Sequence, residues 1–128
     1  MVNTKQKGQR KELMVEEEMH AEGRTVVFRS FTIKRGPIYI GVDFADLFDV
    51  VAVRGRNYSF ISSKHGTHGE NSQHFRDIQA YAEISGWEYA SFEIWCWQAS
   101  RWTGRGKNKR WVTAHWDKVK VWTGSRFN

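Results

Sequence analysis

Residues 48–64, FDVVAVRGRNYSFISSK, constrain what this chain can fold into more than any other stretch. Asp49 is followed by a continuous apolar run to Val53, the pattern of a strand covered on both faces. Arg54-Gly55-Arg56-Asn57 reads as a tight turn, and residues 58–64 then alternate, with Tyr58, Phe60, Ser62 and Lys64 on one side and Ser59, Ile61 and Ser63 on the other. The acid that opens the first strand and the lysine that ends the second should meet at one edge of a sheet.

The rest of the chain supplies the layers around this hairpin. Residues 1–7 read as a flexible basic arm, followed by a helix from about Gly8 to Ala21 that Gly23 stops. Glu12, Val15 and Met19 share one face of it, and an acid on an apolar face is unusual. Residues 25–31, TVVFRSF, predict a strand, and Ile38–Val42 a short one after the Gly36-Pro37 turn signal. HGTHGEN, residues 65–71, reads as a polar glycine loop. A helix over 72–85 should bury Phe75, Ile78, Ala82 and Ile84, and Gly86 ends it. Residues 89–97 predict a strand, with Trp95 and Trp97 facing one way and Ile94 and Cys96 the other; residues 101–110 predict an exposed basic loop. Strands at 111–115 and 118–122 should flank a turn at Trp116-Asp117. This order predicts one α/β or α+β domain with a mixed sheet between helices.

Charge points toward the partner. Twenty Lys and Arg against 14 Asp and Glu give +6 and a pI near 9.7, so the surface should attract polyanions, with nucleic acid and anionic membranes as candidates. No apolar run approaches the ~18 residues of a membrane span, and the N-terminus lacks a signal-peptide core. A soluble intracellular protein is expected, and the lone Cys96 agrees with a reducing compartment. The spacing of His65, His68, His74 and Cys96 fits no standard zinc pattern. The seven tryptophans all lie at 87–122, which asks for an aromatic core cluster, a dimer face or a base-stacking surface.

Glu12, Asp49 and Lys64 carry the candidate chemistry. Phosphodiester hydrolysis needs a hard cation to polarise the phosphate and activate water, and Mg²⁺ takes one or two carboxylates plus waters. A neighbouring lysine can orient that water or stabilise developing charge. The same Asp and Lys also suit a strand-end salt bridge. Arg105, Lys107, Lys109 and Arg110, flanked by Trp102 and Trp111, suit phosphate contact beside stacked bases, and equally a solvated hairpin loop with core tryptophans.

Lys7-Gly8 followed by three residues and Glu12, then Val26-Val27-Phe28-Arg29-Ser30, Asp49-Val50-Val51-Ala52 and a hairpin ending in Lys64, resembles the archaeal-type Holliday junction resolvases, also found in viruses and phages. These belong to the PD-(D/E)XK nuclease superfamily, and the similarity runs over residues 7–95. The resemblance implies a restriction-endonuclease-like mixed sheet flanked by helices, and a homodimer cutting branched DNA with Mg²⁺, for which Mn²⁺ can substitute, and no organic cofactor. It implies that Asp49 and Glu12 serve the metal with the main-chain carbonyl of Ser63, that Lys64 orients the attacking water, and that Ser30 contacts DNA or metal-bound water. Lys7, Arg10 and Arg29 would grip phosphates.

Two positions depart from the family: Ser62 stands where it has glutamate, and Phe48 replaces its proline. Serine is a poor Mg²⁺ ligand. Either the acid has migrated, with Asp46, Asp43 or Glu70 as candidates, or the enzyme works with fewer carboxylates, or catalysis is lost and DNA binding remains. A restriction or homing endonuclease on the same scaffold is the further alternative.

Overall fold

The computed structural model describes residues 4–66 and 69–127, with side chains from Glu12 onward. The expected phosphate-gripping side chains of Lys7 and Arg10, the tip of the basic arm and His68 lie outside the described residues. The elements are α1 (Thr4–Ala21), β1 (Thr25–Arg29), β2 (Phe31–Arg35), β3 (Ile38–Val42), β4 (Val50–Arg54), β5 (Asn57–His65), α2 (Gln73–Ser85), β6 (Ala90–Gln98), β7 (Arg101–Thr103), β8 (Arg110–Val112) and β9 (His115–Thr123). α1 begins before Gly8, inside the stretch read as an arm.

A five-stranded sheet in the order β1-β4-β5-β6-β9 is antiparallel except for the β5/β6 pair, which α2 connects. A parallel pair needs such a crossover, because its strands start at the same end of the sheet. Alternation sorts the core into two layers. Phe60, Phe92, Ile94 and Cys96 pack with Phe75, Ile78 and Ala82 of α2, whereas Ile61 and Trp95 pack with Val15 and Met19 of α1. The helices therefore cover opposite faces, and the molecule is a small α/β protein with a mixed sheet between them. α2 is bounded by its own sequence: the Ser72 hydroxyl accepts the Phe75 N–H, and Gly86 takes the left-handed conformation at φ 66°. No described helix is long and apolar enough to cross a membrane.

Four expectations are corrected. Residues 25–31 do not form one strand, because Ser30 breaks it: its N–H donates to the Asp49 carbonyl at 2.7 Å, and the chain leaves the sheet as the separate β2–β3 hairpin. Ile84 is 88% exposed; it lies about 200° around the helix from Ala82 and so off the buried stripe. The turn placed at Trp116-Asp117 does not exist, since β9 runs through both residues, paired with Gln98 through Ser91 of β6. Residues 101–110 are not only loop but the small hairpin β7–β8, with a 3₁₀ turn at Gly106–Asn108.

Candidate functional site

The site is built where β4 begins and β5 ends. Val50 is the register partner of Ile61, yet the Asp49 N–H also donates to the Ile61 carbonyl at 2.9 Å. Two residues against one is the arrangement of a β-bulge, which re-aims a side chain. It explains why Phe48 and Val51 lie in the α2-side core while Val50 and Ala52 lie in the α1-side core. Beyond the bulge the first strand departs, leaving a fork beside β5. The Asp49 carboxylate fills that fork, accepting the Ser63 N–H at 2.7 Å and the Ser63 hydroxyl at 3.0 Å. N–H and C=O of one strand residue project to the same side, so the Ser63 carbonyl is also directed into the fork.

The chain reaches Asp49 through a strained turn. Ala45 and Asp46 both have positive φ, 53° and 58°, a conformation costing roughly 1–2 kcal/mol per non-glycine residue. Phe44 and Phe48 hold it, exchanging main-chain hydrogen bonds of 2.9 and 3.0 Å and packing their rings on Phe60.

Glu12 reaches the same place from α1. Its pKa is raised from 4.5 to about 7, first by burial, then by the Asp49 and Asp43 carboxylates, with Arg29 opposing. Asp49 is raised too, chiefly by burial; the two Ser63 hydrogen bonds and Lys64 pull the other way, and Asp43 adds to the rise. Glu12, Asp43 and Asp49 thus share one neighbourhood, with Lys64 and Arg29 as its nearby cations. Asp43 is fixed by the Ser30 hydroxyl, which donates to it at 2.6 Å. Arg29 pairs with Glu16 at 3.2 Å and is otherwise exposed.

Among the described residues, no three acidic, imidazole or thiol side chains converge tightly enough to hold a metal by themselves. The donors nevertheless suit Mg²⁺, which binds through one or two carboxylates and keeps its waters. Asp43 disfavours ionisation of both Glu12 and Asp49, and Asp49 that of Glu12, a crowding of negative charge that a divalent cation would relieve.

The remaining candidates are dispersed. Ser62 is 1% exposed, on the face of β5 opposite Ser63, and its hydroxyl is hydrogen-bonded to His74 Nε2 at 2.7 Å. His74 lies in the first turn of α2. Asp46 sits exposed on its strained turn and is not among the main influences on Glu12 or Asp49; Glu70 is exposed in the 69–72 segment. Arg105, Lys107, Lys109 and Arg110 are exposed around β7–β8. Trp102 and Trp111 on that hairpin are 60% and 54% exposed, stacked edge to face, with Lys109 over the Trp102 ring at 5.8 Å. Trp95, by contrast, is core and packs against Trp116.

Position 46 offers a direct check. Asp46→Gly relieves left-handed strain, so it should raise stability by up to about 1 kcal/mol in denaturant unfolding. It should also leave divalent-cation binding unchanged, whereas Asp43→Asn should weaken it; the reverse pattern would make Asp46 the ligand. No protein-family model matches this chain, and no curated protein matches it either.

Proposed function

We propose that the protein is a Mg²⁺-dependent, structure-specific DNA endonuclease with a restriction-endonuclease-like fold, acting on four-way junctions. The observation that carries this reading is the Asp49 carboxylate held in the strand fork with Glu12 and Asp43 around it and Lys64 adjacent. Asp49, with the Ser63 carbonyl and Glu12, would hold the cation, which supplies a polarised phosphate and a more acidic water. Lys64 orients the attacking water and stabilises charge on the phosphate oxygens. Asp43 takes the place of the missing strand-borne acid, and Ser30 positions it through the 2.6 Å hydrogen bond.

The β7–β8 hairpin holds the DNA. Its cations contact phosphates without reading sequence, and its paired tryptophans stack on bases exposed at a branch point. A two-fold dimer is part of the reading, because two sites are needed to cut opposed strands. The apolar side chains exposed on β2 and β3, such as Ile38 and Tyr39, are among the surface available for it.

A second reading, a binding protein without catalysis, is favoured by Ser62, whose small buried side chain on His74 brings no charge to the fork. Cleavage of junction, flap and linear duplex DNA with Mg²⁺ or Mn²⁺ separates the two. Junction cleavage supports the enzyme; tight junction binding with no cleavage sinks it, and strong sequence preference on linear duplex indicates a restriction-type nuclease. Replacing Arg105, Lys107, Lys109 and Arg110 by glutamine should reduce the slope of log affinity against log salt by up to about 3.6 on duplex arms. An unchanged slope would remove the hairpin from the DNA surface.

A further inference from the structure

At the opposite end of β4 and β5 lies a hollow of about 700 Å³, lined by Arg24, Arg54, Arg56, Asn57, Tyr89 and Phe127 among others. We infer that it is a nucleotide-phosphate site, separate from the carboxylate fork. From Asn57 to Ser63 the strand rises about 20 Å, so the inference does not rest on the nuclease reading.

Three elements bring the guanidinium groups together. Gly55, at φ 61°, starts a two-residue hairpin loop that puts Arg54 and Arg56 on either side of it. Arg24 comes from the segment between α1 and β1, and its Nη1 donates to the buried Ser59 hydroxyl. None of the lining residues is a carboxylate. The nearest neutralising group is Glu22, whose Oε2 is 3.1 Å from Arg24 Nε, while its Oε1 is drawn 3.0 Å to Lys118. The buried Arg24 Nε makes no hydrogen bond despite that pairing. Arg54 has only a 3.5 Å contact to the Glu22 carbonyl, and no ion pair among the described residues engages Arg56.

Arginine stays charged at any ordinary pH, so three of them around one hollow repel each other unless an anion is shared. Their planar forks match phosphate oxygens two at a time. A hollow of this volume is larger than an inorganic phosphate needs and suits a ligand with a body attached. Tyr89 and Phe127 on its lining are aromatic residues that suit a phosphate ester carrying a planar base. Such a ligand is either a free nucleotide or one nucleotide of a nucleic-acid strand.

The test titrates the full chain, in EDTA so that the fork holds no metal, with AMP, adenosine, inorganic phosphate and a short single-stranded oligonucleotide. Amide NMR shifts and calorimetry are the readouts. AMP binding tighter than phosphate, with adenosine silent and shifts at Gly55, Asn57 and Tyr89, supports a free-nucleotide site. Binding of the oligonucleotide but not AMP, with the same shifts, assigns the site to a strand. Arg54→Ala with Arg56→Ala, both exposed, at the end of β4 and in the turn, should weaken whichever ligand binds by about 10-fold or more, and Arg56→Lys should restore only part of it. No shifts around Gly55 with any probe, or binding unchanged in the double variant, overturns the inference.

Discussion

Asp49→Asn is expected to abolish Mg²⁺-dependent junction cleavage, lowering the rate by roughly 10³-fold or more, while the protein stays folded and binds the junction. Asparagine is the informative choice because its Oδ1 can still accept the Ser63 N–H that the carboxylate now accepts at 2.7 Å. What it loses is charge. The Asp49 pKa is raised mainly by burial, which means the ionised carboxylate weakens the metal-free fold at neutral pH. Removing the charge should therefore leave thermal stability unchanged or raised, although the site is disabled. Single-turnover cleavage, electrophoretic binding and thermal melting on the same preparation check all three parts. Cleavage at the wild-type rate would exclude Asp49 from the chemistry.

The features legible in the sequence are those specified locally. The β4–β5 hairpin follows from an apolar run, a glycine turn and an alternating strand, and α2 from a serine cap, a stripe and a terminal glycine. The failures share a cause in distant partners. Nothing in TVVFRSF announces that Ser30 leaves the sheet, because the groups that take it, the Asp49 carbonyl and the Asp43 carboxylate, lie 19 and 13 residues away. β9 runs through Trp116-Asp117 because β6 lies beside it there as a partner, and that pairing is visible only once the sheet order is known.

The candidate site was legible in part, for the same reason. Spacing placed an acid and a lysine at the ends of paired strands, but alternation alone would have put the Asp49 side chain with Val51. The bulge opposite Ile61 moves it into the fork. Asp46 came ahead of Asp43 as the spare acid, since composition cannot tell where the chain carries each. The left-handed turn at Ala45 and Asp46 sets them apart, leaving Asp43 near Glu12 and Asp46 on the turn. The hydrogen bond between Ser62 and His74 had no local signal, because it joins the second hairpin strand to a helix across a glycine loop.

Glu12→Gln should separate structure from chemistry through pH. The wild-type carboxyl has a pKa of about 7 in the fold against 4.5 when unperturbed, so between those values the folded chain keeps a proton that the unfolded chain releases. Raising the pH through that window therefore erodes stability, and the loss is complete above about 7 and absent below about 4.5. Glutamine does not titrate and escapes it. The full difference would be about 3 kcal/mol at 1.36 kcal/mol per pKa unit, and solvent screening of this half-exposed group reduces that to roughly 1–2 kcal/mol. Melting temperatures should then be equal within error near pH 4.5, with the variant about 3–8 °C higher at pH 8. Millimolar Mg²⁺ should narrow the gap at pH 8 by stabilising the wild type more, because binding to the folded state adds RT ln(1 + [Mg²⁺]/Kd). Wild-type cleavage should rise with pH as Glu12 loses its proton, at an apparent pKa that the metal lowers, whereas the variant should be slow at every pH. A variant no more stable than wild type at pH 8 would show that neither burial nor the Asp49 and Asp43 carboxylates oppose ionisation of Glu12, and the fork would lose its electrostatic reason to draw in a cation.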